Sequence, residues 1–123
     1  MYVQCLNKDD EHYDALFKME EELKGLRNLE GEPFELIALP MCEPTYFEEE
    51  RIPATYANFL IINGAVLLPI YNDIHDNEAI TICQKAFKGR EIIPIDCSVL
   101  IRQHGSLHCV TMQFPEEVSL RLD

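Results

Sequence analysis

No stretch of this 123-residue chain stays apolar for the length of a membrane span; the longest such runs are about the length of a strand. A membrane-embedded protein is therefore not expected. Basic residues are scarce, 10 against 22 acidic, for a net charge of −12. That balance argues against nucleic acid and anionic membrane as partners, because both are held by clustered cations. It suits a cationic ligand such as a guanidinium compound, although acidity also serves solubility alone. No two cysteines share a Cys-x-x-Cys spacing; the five, at 5, 42, 83, 97 and 109, are odd in number and scattered. A disulfide framework is not expected. Nor is a metal: His104, His108 and Cys109 lie near one another in sequence but lack a fourth zinc ligand. The opening residues, Met1 to Leu6, carry neither a basic segment nor a long apolar core. No secretory leader is read there, and a cytoplasmic setting with free thiols is expected. No close internal repeat is visible.

What is present fits one small globular domain: 47% apolar and 26% charged residues, in a chain long enough for a real core. Residues 2–6 alternate like a strand. A helix is expected over 10–26, capped by Asp9 or Asp10, with His12, Leu16, Met19, Leu23 and Leu26 at helical spacing and Tyr13 and Phe17 widening the stripe. Residues 34–40 read as a strand that Pro40 stops, apolar enough to be buried on both faces of a parallel sheet. A long loop, 41–56, carries the acidic run Glu48-Glu49-Glu50, read as a solvated charge run. Residues 57–62 and 65–70 read as a hairpin around Asn63-Gly64, with a type I′ turn. A helix over 74–88 follows, capped by Asp73 or Asp76 and ended by Gly89, with Cys83 on its core face. A strand at 91–96, a helical turn at 97–101 and a strand at 107–113 complete the reading; the tail, 116–123, is expected to fray.

The stretch with chemistry in it is Gln103-His104-Gly105-Ser106-Leu107-His108-Cys109-Val110-Thr111-Met112-Gln113. It sets a Cys beside a His, after a Gly that lets backbone approach a ligand closely. A thiolate is a strong nucleophile where cations or backbone N–H groups stabilise it. Inert packing of a strand cysteine is the competing reading.

Gly105 to Gln113 resembles the nucleophile motif of the agmatine deiminases, also called Porphyromonas-type peptidylarginine deiminases. A second block, Pro53-Ala54-Thr55-Tyr56-Ala57-Asn58-Phe59 through to Asn63-Gly64 and Pro69, resembles the same family in order and spacing. The resemblance implies an α/β fold: a pentein-type α/β-propeller of ββαβ units, with about two of five units within residues 1–123 as the C-terminal portion. It implies hydrolysis of a guanidinium to a ureido group plus ammonia, without a cofactor. Cys109 matches the nucleophile, and Asn58 and Gly105 are expected to line the substrate site. The implied partner is a small guanidinium substrate, agmatine, with a peptidyl arginine as the other possibility. The family's acid–base His and guanidinium-binding carboxylates match nothing here; Asp73 and Asp96 align with neither. His108 is the nucleophile's neighbour in the motif, and on a strand it would face away from Cys109, as a buried hydrogen-bonded support. The sequence also departs from the family's commoner Gly-Gly-Gly approach, with Gln103-His104 before a single Gly105. Two readings follow: part of a deiminase, inactive as the isolated chain, or a non-catalytic self-associating or binding module. Either way, exposed sheet edges favour a homo-oligomer.

Overall fold

The Asn63-Gly64 turn organises the largest sheet of the computed structural model, which describes residues 1–116 and 118. β5 (Leu60–Ile62) and β6 (Ala65–Ile70) pair antiparallel, with Ile62 opposite Ala65. The hairpin is as expected, but its turn is not type I′. Of the two central residues only Gly64 has a positive φ, +76°. The type I′ signature falls elsewhere, on Glu48 and Glu49, with φ of 50° and 68°. They turn the chain between β3 (Tyr46–Phe47) and β4 (Glu50–Arg51), so the acidic run is a two-residue hairpin tip as well as a solvated face.

From β6 the chain enters α2 (Asp76–Ala86) and returns as β7 (Glu91–Asp96), parallel to β6 and in register from Ala65↔Glu91 to Ile70↔Asp96. The result is one complete ββαβ unit, in the order β5-β6-β7. Pro69 is tolerated in β6 because it lies past the end of β5, where β6 has a single neighbour. Gly89 does not end α2 as expected: Phe87 caps the helix, and Gly89, at φ +86°, lies in the following turn that the Arg90 N–H closes on the Phe87 carbonyl at 3.1 Å.

The N-terminal part forms β1 (Tyr2–Gln4), α1 (Tyr13–Gly25) and β2 (Ala38–Pro40), with β1 and β2 parallel. α1 begins three residues later than expected. Asp10 does act locally, but its carboxylate accepts the His12 amide at 2.9 Å in the turn that precedes the helix. The strand expected over 34–40 shrinks to three residues, because β1 offers only three for it to pair with. The core joins the two parts: Leu39 and Cys42 pack with Tyr56, Leu68, Ala79 and Cys83, all buried. Cys83 is therefore a packing residue, as its helical position implied.

The strand expected over 107–113 is absent. His108–Val110 form a single 3-10 turn, closed by the Thr111 hydroxyl on the His108 carbonyl at 2.8 Å. Among the described residues this segment joins no sheet: it meets the β5 edge only through the Gln113 side-chain amide on the Ile61 carbonyl, at 2.7 Å. The helical turn placed at 97–101 lies at Leu100–Gln103. Of the tail expected to fray, residues 117 and 119–123 lie outside the described residues. Among the described residues no helix is long and apolar enough to cross a membrane.

Candidate functional site

Two loops meet at Cys109. The first, 53–59, leads into β5; the second, 104–110, follows the Leu100–Gln103 turn. Asn58 joins them with both ends of its side chain. Its Nδ2 donates to the Cys109 sulfur at 3.2 Å, and its Oδ1 accepts the His108 backbone N–H at 2.7 Å. Its carbonyl oxygen lies 3.3 Å from the same N–H. The backbone-capping alternative for Asn58 is thus present, and the other end of the same amide faces the thiol.

The Cys109 thiol is exposed, whereas Cys5, Cys42, Cys83 and Cys97 are buried, and all five are free. Its pKa is drawn below that of an ordinary thiol, first by the Ser106 backbone N–H and then by the Asn58 amide. Neutral N–H donors fixed on a sulfur favour the thiolate, because they stabilise the charged form more than the neutral one. The buried thiols go the other way: loss of solvent pushes Cys42 up to about 12 and Cys83 to about 11. Cys109 is therefore the one cysteine that combines access with thiolate character.

Gly105 makes this geometry possible by close approach. A Cβ there would stand 2.9 Å from Gln103 Nε2 and 3.2 Å from Cys109 Cβ. The single glycine suffices because His104 takes the left-handed conformation itself, at φ 64° and ψ 10°. That backbone shape is one a glycine adopts without strain. His104 also lies 3.5 Å from Glu50 on the β3–β4 hairpin, and Arg102 stacks over Phe47 of that hairpin at 5.1 Å.

His108 departs from expectation. It is exposed, and it shares a 3-10 turn with Cys109 rather than alternating with it along a strand. Its fixed contact is through its backbone N–H, to Asn58. Asp73 and Asp96 are occupied structurally. Asp73 accepts the amides of Glu43 and His75, both at 2.8 Å, and Asp96 is bonded by Ser98 and Asn72. Among the described residues no three His, Cys, Asp or Glu side chains gather where they could hold a metal. A cavity of about 280 Å³ opens at the C-terminal ends of β1 and β2, lined in part by Gln4, Asp10, Glu43 and His75. It includes none of Asn58, Gly105 and Cys109, and the chemistry argues for the thiol's surroundings instead.

Two residues the sequence did not single out stand behind the site. Among the described residues Ser106 is the buried polar one, 2% exposed, and its Oγ lies 2.7 Å from the Tyr71 hydroxyl. A serine in an apolar strand-like run gives no sign of this.

The arrangement has close relatives. A crystal structure from Porphyromonas gingivalis, provisionally named an arginine deiminase, is 55% identical, with a TM-score of 0.91 over 94% of this chain and 34% of that one. The agmatine deiminase of C. jejuni is 45% identical, with a TM-score of 0.79 over 87% of this chain and 32% of that one. A Vibrio parahaemolyticus protein provisionally named an agmatine deiminase is 32% identical, over 86% of this chain and 34% of its own length. The chain thus spans about a third of the length of the curated relatives it matches. A family model for the Porphyromonas-type peptidyl-arginine deiminases matches residues 1–115, and the chain belongs to that family.

Proposed function

We propose that these residues form the nucleophile-bearing C-terminal part of a guanidinium-hydrolysing deiminase whose substrate is agmatine. The observation that carries the reading is the exposed Cys109 thiol, held between the Ser106 N–H and the Asn58 amide with its pKa lowered. Agmatine as substrate draws on the names of the relatives. One solved structure, 44% identical, is a Cys-to-Ser variant of C. jejuni agmatine deiminase with substrate bound.

In this reading the Cys109 thiolate adds to the planar guanidinium carbon. The bond from that carbon to a terminal nitrogen breaks, and the nitrogen leaves as ammonia after gaining a proton. Water then adds to the same carbon, the C–S bond breaks, and the ureido product departs as the thiolate returns. The guanidinium carbon keeps its oxidation level and water supplies the new oxygen, so the step needs no oxidant or reductant. The proton donor and the carboxylates that hold the guanidinium come from parts of the protein outside this chain, in the remaining units of an α/β-propeller. An acid–base partner contributes about 10²–10⁴-fold in rate, so the 123-residue chain alone releases no measurable ammonia from agmatine.

The test measures ammonia release by this chain and by a protein of the relatives' full length that contains it, each with and without Cys109→Ala. Turnover by the long protein that vanishes in its variant is expected. Turnover that survives Cys109→Ala sinks the nucleophile assignment. Turnover by the short chain that vanishes in its variant refutes the placing of the partners elsewhere.

A second reading, a self-associating module, draws on exposed apolar side chains around α1 and the loop after it. Leu29 is fully exposed, and Phe17, Leu26 and Phe34 are about half exposed. A monomer at all concentrations in sedimentation would remove it, together with the proposed homo-oligomer.

A further inference from the structure

We propose that Tyr71 is a positioning residue for the nucleophile: its hydroxyl fastens the loop that carries Asn58 to the loop that carries Ser106 and Cys109. The proposal rests on the reading of Cys109 as the nucleophile, but its geometry stands independently. Tyr71 follows the end of β6, and its ring is tilted against that of Tyr56 at 5.9 Å. Its hydroxyl donates to the Thr55 carbonyl at 3.0 Å and lies 2.7 Å from Ser106 Oγ. A phenol has one proton to give. With that proton on Thr55, the Ser106 hydroxyl is the donor in the second bond and Tyr71 the acceptor.

Each of these partners sits beside one of the groups on the sulfur. The Thr55 carbonyl also accepts the Asn58 N–H at 3.3 Å, and the Thr55 hydroxyl takes the Ala57 N–H at 3.2 Å. Thr55 therefore fixes the turn from which the Asn58 amide reaches the thiol. On the other side, the residue whose hydroxyl meets Tyr71 is the one whose backbone helps to draw the Cys109 pKa down, and its neighbour Gly105 lies against the Cys109 Cβ. The hydroxyl of one half-buried tyrosine thus ties the two loops together. Backbone on both sides comes from loops with no ladder to hold them. Burial raises the Tyr71 phenol to about 12, so the link stays intact through neutral and mildly basic pH.

The test is the pH dependence of alkylation at Cys109 by iodoacetamide in the 123-residue chain, read by peptide mass spectrometry; the other four thiols are buried. Tyr71→Phe keeps the ring and removes the link. It is expected to move the midpoint of the Cys109 profile upward and cut the rate at neutral pH about threefold to tenfold, since one pH unit of midpoint is tenfold in thiolate. Ser106→Ala breaks the same link from the other side and is expected to shift the midpoint in the same direction. Combined with Asn58→Ala, Tyr71→Phe is expected to add less than it does alone, because one of its two beneficiaries is already gone. Cys83→Ala, in the core away from the link, serves as the control for general loosening and leaves the midpoint in place. A Tyr71→Phe or Ser106→Ala variant that melts earlier but keeps the wild-type midpoint overturns the proposal and leaves Tyr71 a packing residue. Loss of the nucleophile assignment would appear differently, as ammonia release that ignores Cys109.

Discussion

Removing the Asp76 carboxylate should unfasten the floor beneath the site, and its cost follows from counting the donors it holds. Asp76 Oδ1 accepts the Tyr56 hydroxyl at 2.8 Å and the Tyr71 N–H at 3.2 Å, and Oδ2 accepts the Asp73 N–H at 3.1 Å. Tyr56 is fully buried, so in Asp76→Ala its hydroxyl loses its partner with no water in reach. A buried donor left unpaired costs about 1–3 kcal/mol. The Tyr71 and Asp73 amides are only half-buried and recover part of theirs from solvent. The three together give a loss of about 3–5 kcal/mol for Asp76→Ala, a large share of the ~5–15 kcal/mol that holds a domain. Asp76→Asn keeps an oxygen for Tyr56 and Tyr71 but turns an NH₂ toward the Asp73 N–H. It should cost about 1–2 kcal/mol, near the value of one hydrogen bond. Urea denaturation followed by far-UV circular dichroism measures both. An Asp76→Ala variant within about 1 kcal/mol of wild type, the net value of a single ordinary bond, would refute the count. So would an Asn variant as costly as the Ala.

Three further outcomes follow from the geometry. Gly105→Ala should slow alkylation of Cys109; adding Gln103→Ala, which removes the flexible obstruction, should restore little, because the Cys109 Cβ remains in the way. His104→Gly should raise stability by up to about 1 kcal/mol in urea melts, since a non-glycine residue in the left-handed region carries about that much strain; a loss of stability would contradict the strain assignment. The Arg51 guanidinium, 2.9 Å from Asp10, holds that carboxyl below the usual range. A lowered folded pKa means that the pair stabilises the chain above the ordinary carboxylate pKa of about 4, and that this contribution is lost as pH falls through the folded value. Stability measured from neutral pH down into acid should therefore fall less steeply in Arg51→Met than in wild type.

Local signals were readable where one short segment decides the structure. Asn63-Gly64 fixed the hairpin, and the bounded run at 91–96 gave β7 to the residue. What sequence could not show is which segment has a partner. Phe34 to Ile37 have strand-like character, but in the parallel register Tyr2 of β1 lies opposite Ala38, so they fall outside the paired stretch. Leu107 to Gln113 alternate, but the segment forms no ladder with the β5 edge beside it; it closes a 3-10 turn instead, and His108 ends exposed. The motif resemblance singled out Cys109, Asn58 and Gly105, and the fold brings these three together. It could not locate Tyr71 or Asp76, whose part is played through hydroxyl and carboxylate contacts between residues five to thirty-five apart. The left-handed His104 was invisible for a simpler reason: glycine marks such a position in sequence, and here glycine is not used.

The order in which the chain leaves the ribosome gives the Asn58 clamp a further meaning. β5, β6, α2 and β7 are contiguous in sequence, so this sheet can close on itself as soon as Asp96 has emerged, before Cys109 is available. Contiguous units of this kind tend to be the cooperative blocks of a fold. The Cys109 turn then docks onto a surface that already exists, and until it docks its sulfur lacks the Asn58 amide. A chain in which that contact has not formed thus lacks part of the stabilisation that lowers the Cys109 pKa.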